Sequence, residues 1–206
     1  SNRANLPVGS VDAKVNTSLY NLLLTSKPLN FLNVKARYRY YERKNKTEEI
    51  EFPGYVRMDA VWEAEAEKNE PISYKKSTAG IDFGFDLLKA TTLTLGYTYD
   101  QMKRSEIREV SKLQDDIYKV SLDTKPLTWL DFKVSYEHSK RDGDYNMFAP
   151  FEGKTGTNTT STADEPPQVP WLRKYDEANR KRDRIQFIGT FYPIDPLTIT
   201  PQAIFG

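Results

Sequence analysis

The sequence predicts an all-β fold, specifically an antiparallel transmembrane β-barrel with about eight strands in this chain. Three observations support this prediction. Apolar and polar residues alternate along the chain, the strands predicted between the turns and loops reach roughly 10 to 15 residues, and tight turns alternate with long polar loops. Short periplasmic turns and long extracellular loops are typical of outer-membrane barrels, so residues 1–206 are interpreted as a segment of a single barrel domain.

The alternating segments follow one another along most of the chain. In order, they are Val11–Leu19, Asn33–Tyr40, Ile81–Leu87, Leu93–Tyr99, Tyr118–Asp123, Leu130–Glu137 and Ile185–Phe191. Successive side chains of a strand point to opposite faces, so each segment would have one apolar face and one polar face. Soluble strands average about 5 to 6 residues, whereas a tilted strand needs about 9 to 11 to cross a bilayer.

The connections between these segments are of two kinds. A proline-containing motif recurs in the tight turns, as KPLNFL at Lys27–Leu32, as KPLTWL at Lys125–Leu130 and more loosely as IDPLTI at Ile194–Ile199. Proline presets a turn and ends a strand ladder, so each motif is predicted to end one strand and begin the next. The alternate connections are long and polar, at about residues 44–73 and 141–181.

The two parities predict two environments. The apolar face is expected to meet lipid, and its candidates are Val34, Ala36, Tyr38, Tyr40, Leu130, Phe132, Val134 and Tyr136. The charged face is expected to meet the lumen and a partner there, and its candidates are Lys35, Arg37, Arg39, Asp131, Lys133 and Glu137. A charge on the lipid face costs roughly 2–4 kcal/mol at mid-bilayer, which would enforce this separation. The alternation by itself also fits a soluble β-sandwich.

Composition excludes several kinds of protein. The chain is 38% apolar, 29% charged and 13% aromatic with mean hydropathy −0.69, and disordered chains are poor in aromatic residues. A net charge of +1 gives no reason to expect nucleic-acid binding. The absence of cysteine excludes disulfides, cysteine nucleophiles and covalent attachment of c-type haem to this chain. No catalytic or phosphate-binding motif is present, so no enzyme is predicted.

Two polar features are weighed as sites. His138 is the only histidine, and a metal site needs further ligands, so no metal site is predicted there. The basic run Arg180–Arg184 has two interpretations. It could contact phosphate or lipopolysaccharide at the outer rim, or it could form an ion-pair ladder with neighbouring strands near Arg141 and Asp142.

Three stretches resemble one family. They are NTSLYNLLLTSKPLNFLNVKARYRYYERKNKT at Asn16–Thr47, TKPLTWLDFKVSYEHSKRDG at Thr124–Gly143 and WLRKYDEANRKRDRIQFIGTFYPIDPLTIT at Trp171–Thr200. Their sequence motifs and their order along the chain are similar to the MtrB/PioB family of bacterial outer-membrane β-barrels, which are porin partners of multihaem cytochromes. Family barrels have more strands than the eight counted here, so the chain is expected to be a fragment of a larger barrel.

The resemblance implies a function. A periplasmic multihaem c-type cytochrome would sit in the lumen, and an extracellular one could dock outside. Electrons would cross the outer membrane between haems that the partner carries, and this chain would bind no cofactor. Two alternatives stay open, an ordinary porin whose charged lumen selects solutes and a soluble β-sandwich that binds a partner.

Overall fold

The computed structural model describes residues 7–52, 55–56, 62–63, 66–69, 71–105, 110–145 and 178–206. The prediction of an all-β fold is confirmed. The strands are β1 (Val15–Leu29), β2 (Leu32–Asn45), β3 (Glu51–Phe52), β4 (Tyr55–Val56), β5 (Trp62–Glu63), β6 (Glu67–Lys68), β7 (Tyr74–Leu88), β8 (Thr91–Arg104), β9 (Val110–Leu127), β10 (Leu130–Tyr145), β11 (Arg180–Ile194), β12 (Leu197–Ile199) and β13 (Gln202–Phe205).

One antiparallel sheet holds all the long strands, in the order β1-β2-β7-β8-β9-β10-β11-β12, and β13 also pairs with β11. Strands that follow one another along the chain are therefore neighbours in the sheet. Two short pairs, β3 with β6 and β4 with β5, lie in the connection between β2 and β7. Among the described residues, β1 has a strand partner on one side only.

Strand length and turn length follow the predicted alternation. The seven long strands have 14 to 18 residues each. Two-residue turns join β1 to β2, β7 to β8, β9 to β10 and β11 to β12, and three of them fall on the proline motifs. The predicted long connections begin at the other ends of the strands, and most of the second one, residues 146–177, lies outside the described residues. β10 continues to Tyr145, and β1 begins at Val15 rather than at Val11.

The two faces of the sheet differ in burial. Among the described residues, the only buried hydrophobic side chains are Val110 and Leu113, and both share a face with the buried serines Ser121, Ser135 and Ser139. The other face leaves large apolar side chains exposed across the sheet, including Leu22, Leu24, Phe83, Leu95, Val120, Phe132 and Ile185. A sandwich would cover such a face with a second sheet. None of the described residues forms a helix that is long and apolar enough to cross a membrane.

Candidate functional site: the polar face of the sheet

Cross-strand register sorts the predicted residues onto two faces. Lys35 lies opposite Asp82, and the same row continues through Gly96 and Lys119 to Glu137. The six charged candidates, Lys35, Arg37, Arg39, Asp131, Lys133 and Glu137, therefore lie on one face, called here the polar face. The eight apolar candidates, Val34, Ala36, Tyr38, Tyr40, Leu130, Phe132, Val134 and Tyr136, lie on the opposite one, the apolar face.

Arg37 is the centre of a hydrogen-bonded group on the polar face. One guanidinium nitrogen donates to the Asp82 carboxylate on the next strand, and another donates to Thr98 Oγ1 at 2.7 Å, two strands away. Gly80 lies directly opposite Arg37 in the register. The guanidinium therefore extends sideways across the strands instead of standing out from the sheet.

Glycines make this arrangement possible. A Cβ at Gly80 would lie 2.8 Å from Arg37 Nε, and a Cβ at Gly96 would lie 2.5 Å from Asp82 Oδ1. Real Cβ atoms do not approach other atoms so closely, so a side chain at either position would displace the charged group. Gly84 is different, because its nearest atom would be the Asn33 Cβ at an ordinary 3.7 Å. The alternation of charge in the sequence identified Arg37 as a candidate. It did not identify Gly80 and Gly96, although both occupy positions on the polar face of their strands.

Further ion pairs extend across the polar face. Lys76 Nζ lies 2.9 Å from Asp100 and Lys133 Nζ lies 2.9 Å from Asp123. The tightest packed of these pairs joins Arg141 to Asp115, where Nε donates to both carboxylate oxygens at 2.9 and 3.0 Å and the two side chains are only 15% and 14% exposed. An ion pair that is shielded from water is stronger than an exposed one.

The basic run Arg180–Arg184 follows the same division between faces. Its three arginines share the polar face, and Arg182 Nη2 lies 3.1 Å from Glu137 Oε1. The ion-pair interpretation of the run is therefore confirmed for Arg182. The alternating Lys181 and Asp183 lie on the apolar face instead.

The polar face is concave. A cavity of about 670 Å³ is lined by side chains of six strands, from Thr25 on β1 to Lys133 on β10, and Gly84 and Gly96 lie along it. Lys35, Arg39 and Lys119 also belong to this face and form no ion pair with the described residues. The polar face therefore combines a network of ion pairs between neighbouring strands with a few cations that remain available to another molecule.

Tyrosines line one border of the apolar face. The rings of Tyr20 and Tyr40 have centroids 6.1 Å apart, and those of Tyr97 and Tyr118 are 5.1 Å apart. Three tyrosine hydroxyls donate to carboxylates on this face. The pairs are Tyr40 with Glu42 at 3.2 Å, Tyr97 with Asp116 at 2.6 Å and Tyr136 with Asp183 at 2.6 Å. An amphipathic ring with one wet end is suited to a boundary between an apolar layer and water.

His138 belongs to this border as well. Its Nδ1 lies 2.8 Å from the Asp183 Oδ1 that also accepts from Tyr136. Within the part of the chain that the structure describes, no group of three or more histidine, cysteine, aspartate or glutamate side chains is placed to hold a metal ion.

Long antiparallel strands, an uncovered apolar face with an aromatic border and a concave charged face define the wall of a membrane β-barrel. The family model that matches residues 1–204 is described as "Putative outer membrane beta-barrel porin, MtrB/PioB". The chain belongs to this family, as the resemblance of its motifs predicts, and it is an outer-membrane protein. The family is porin-like and not typically enzymatic, and this match contradicts the soluble β-sandwich alternative.

A curated relative agrees with the family match. The chain is 26% identical over 194 residues to a protein of Shewanella baltica (strain OS185) named "Outer membrane protein MtrB". The match covers 94% of this chain and 26% of the relative, so the chain spans about a quarter of that protein's length.

Proposed function

We propose that this chain forms part of a barrel wall that surrounds a multihaem c-type cytochrome and insulates it in the outer membrane. The barrel positions the cytochrome, and electrons pass between haems that the cytochrome carries. The proposal assigns no cofactor to this chain. It rests most directly on the ion-pair network of the polar face, in which the side chains of Arg37 and Asp82 lie along the sheet over glycines.

The first step places the apolar face against lipid. On each long strand, the last apolar or tyrosine residue of the apolar face before the charged end marks a border. From β1 to β11 these residues are Tyr20, Tyr40, Ala79, Tyr99, Tyr118, Tyr136 and Ile185. Measured along the register, this border shifts by six residues over the six steps from β1 to β11. With about 3.3 Å per residue and about 4.8 Å between strands, the border makes an angle of about 35° with the perpendicular to the strands.

That angle is what a membrane barrel requires. Strands of outer-membrane barrels tilt by about 35–45°, so a border that follows the membrane plane must cross the strands obliquely by the same amount. An aromatic border at this slope supports an arrangement in which the tyrosines lie at headgroup level and the apolar side chains below them face lipid. The polar face then lines the lumen.

The second step concerns what fills the lumen. A channel that selects solutes presents its charges to water and to the passing ion. Here Arg37 is instead held against the wall by Asp82 and Thr98, and Gly80 and Gly96 remove the side chains that would lift these groups away from it. When charged side chains lie along the wall and are mostly paired with one another, a protein surface can lie close to the wall without burying unpaired charge.

The third step concerns recognition. Lys35, Arg39 and Lys119 remain as polar-face cations without an ion pair among the described residues. Complementary charges mainly guide a partner and set its orientation. These three side chains are therefore assigned to contacts with acidic groups on the cytochrome surface.

Site-specific photo-crosslinking in the intact outer-membrane complex tests this assignment. A photoreactive residue at Lys35 or Lys133 should trap a haem-containing protein, because both positions face the lumen in this account. The same residue at Val34 is the matched control, since it is adjacent in sequence but on the apolar face. If no haem-containing protein is trapped from either lumen position, the result would favour the solute channel instead.

A further inference from the structure

A lysine recurs at one height on the apolar face of six successive strands. Each lies beyond the border residue of its own strand, toward the long connections. The lysines are Lys44 on β2, Lys75 on β7, Lys103 on β8, Lys112 on β9, Lys140 on β10 and Lys181 on β11. This set is called the lysine girdle.

The spacing within the girdle is regular. On β2, β7, β8, β10 and β11 the lysine is four residues beyond the last apolar or tyrosine residue, and on β9 it is six residues beyond Tyr118. Four residues of a strand tilted by about 45° correspond to roughly 9 Å of height. The girdle therefore runs parallel to the tyrosine border, at the level where headgroups lie outside the hydrocarbon core.

Within the sheet, the girdle brings like charges together. Lys75 lies directly opposite Lys103, and Lys103 lies directly opposite Lys112. Lys140 and Lys181 form another direct pair. Like charges directly opposite one another destabilise a sheet, so these rows need anions to offset the repulsion.

The carboxylates of the chain supply only part of that compensation. Glu42 pairs with Lys75 at 3.2 Å and Asp142 pairs with Lys140 at 2.6 Å. Asp116 and Asp183 accept from Tyr97 and Tyr136, although Asp116 also lies directly opposite Lys140. Asp144 lies directly opposite Lys112 without forming an ion pair among the described residues. Among the described residues, the remaining four lysines, Lys44, Lys103, Lys112 and Lys181, have no ion-pair partner.

The side chains just below the central lysines are neutral. Ser77, Gln101 and Gln114 lie one apolar-face position nearer the tyrosine border than Lys75, Lys103 and Lys112. They give the patch additional hydrogen-bond donors and no charge that would repel an anion. Lysine stems can also extend along the apolar surface while their ammonium groups reach a polar layer.

We infer that the lysine girdle binds the phosphate groups of anionic lipid in the outer leaflet, which in the outer membrane is lipopolysaccharide. The girdle lies at the end of the strands with the long connections, which is the external end of an outer-membrane barrel. The occupant is a lipid because the girdle continues directly from a face that meets lipid. Of the run Arg180–Arg184, only Lys181 belongs to this headgroup site, since the three arginines face the other way.

The test compares two triple variants of the full-length barrel. K103Q/K112Q/K181Q removes three girdle lysines that hold no ion pair among the described residues, so a folded barrel is expected. K27Q/K89Q/K125Q removes the same charge from the tight-turn end of the strands. Lipopolysaccharide retained per barrel is measured after purification, and binding of vesicles with and without lipid A is measured at low and high salt. Heat-modified gel mobility checks that each variant is folded.

The girdle variant should bind lipid A vesicles on the order of tenfold more weakly at low salt and retain correspondingly less lipopolysaccharide. The turn variant should behave as the wild type, and inorganic phosphate alone should not compete at the concentration of the lipid phosphate. Equal retention by all three proteins, or an equal loss in both variants, would overturn the inference. These results do not depend on the lumen partner, so they are independent of the cytochrome proposal.

Discussion

Arg37 and Asp82 form an ion pair that crosses from β2 to β7 with the guanidinium lying over Gly80. The carboxylate of Asp82 in turn lies over the place where Gly96 lacks a side chain. Two charged residues on neighbouring strands are thus held close to the sheet by two glycines. In the proposed function, this keeps the lumen wall flat enough for a protein to lie against it.

Substituting Gly80 tests whether flatness matters. In Gly80→Val the new Cβ would lie within 2.8 Å of Arg37 Nε and would push the guanidinium off Asp82 and Thr98. We expect less cytochrome per barrel, measured as haem absorbance against barrel protein. Gly84→Val is the matched control on the same strand and face, because its Cβ would meet atoms only at 3.7 Å and beyond. Equal haem content in both variants would contradict the flat-wall argument.

The shielded pair of Arg141 and Asp115 should contribute to stability. Asp115→Asn removes a charged acceptor from a guanidinium that is only 15% exposed, so the free energy of unfolding in detergent should fall by about 2–3 kcal/mol. Asp142→Asn removes an exposed partner of Lys140 and should cost less than about 1 kcal/mol. Denaturant titrations followed by circular dichroism compare the two. A similar loss in both would mean that shielding adds nothing to this pair.

Adjacent residues on opposite faces test the lipid assignment. Val34→Lys would place a charge in the lipid layer at a cost of roughly 2–4 kcal/mol near the midplane. Asn33→Lys would place the same charge in the cavity beside Asp86, which already accepts from Asn33 at 3.1 Å. We expect only the Val34 variant to lose folded barrel from the outer-membrane fraction. Comparable loss from both would contradict the assignment of the faces.

The polar-face cations should govern how firmly a partner is held in salt. K35Q/R39Q/K119Q removes three charges without breaking an ion pair among the described residues. The cytochrome should therefore leave the variant barrel at a lower salt concentration than it leaves the wild type, because screening weakens the charge contacts that remain. K103Q/K112Q/K181Q on the opposite face is the charge-matched control. If the control variant releases its partner equally early, polar-face charge has no special role.

Much of the fold could be predicted because strand periodicity is a local signal. Alternation of apolar and polar residues with a period of two predicted the strands. The proline motifs predicted the turns at Asn30-Phe31 and Thr128-Trp129. The slope of the tyrosine border could not be predicted, since it needs the cross-strand register. The register pairs Tyr97 with Tyr118, and nothing in either strand alone specifies that match.

The candidate site, too, could be predicted from the sequence only in part. Parity identified Arg37 and Lys133 as polar-face residues, but the partners Asp82, Thr98 and Asp123 come from other strands and required the structure. Gly80 and Gly96 have no side chain to reveal a preference, so their role emerges only from the side chains that would collide with them. The girdle was hidden because its lysines are dispersed from residue 44 to residue 181.

The central claim, that the barrel surrounds a cytochrome, is tested most directly by isolating the native barrel gently from the outer membrane. Its visible spectrum, its haem content per barrel and its ion conductance in a planar bilayer are measured on the same preparation. The account predicts a strong Soret band, about one multihaem cytochrome per barrel and low conductance that rises when the cytochrome is stripped out. A colourless, intact barrel with an open, conducting lumen would contradict it.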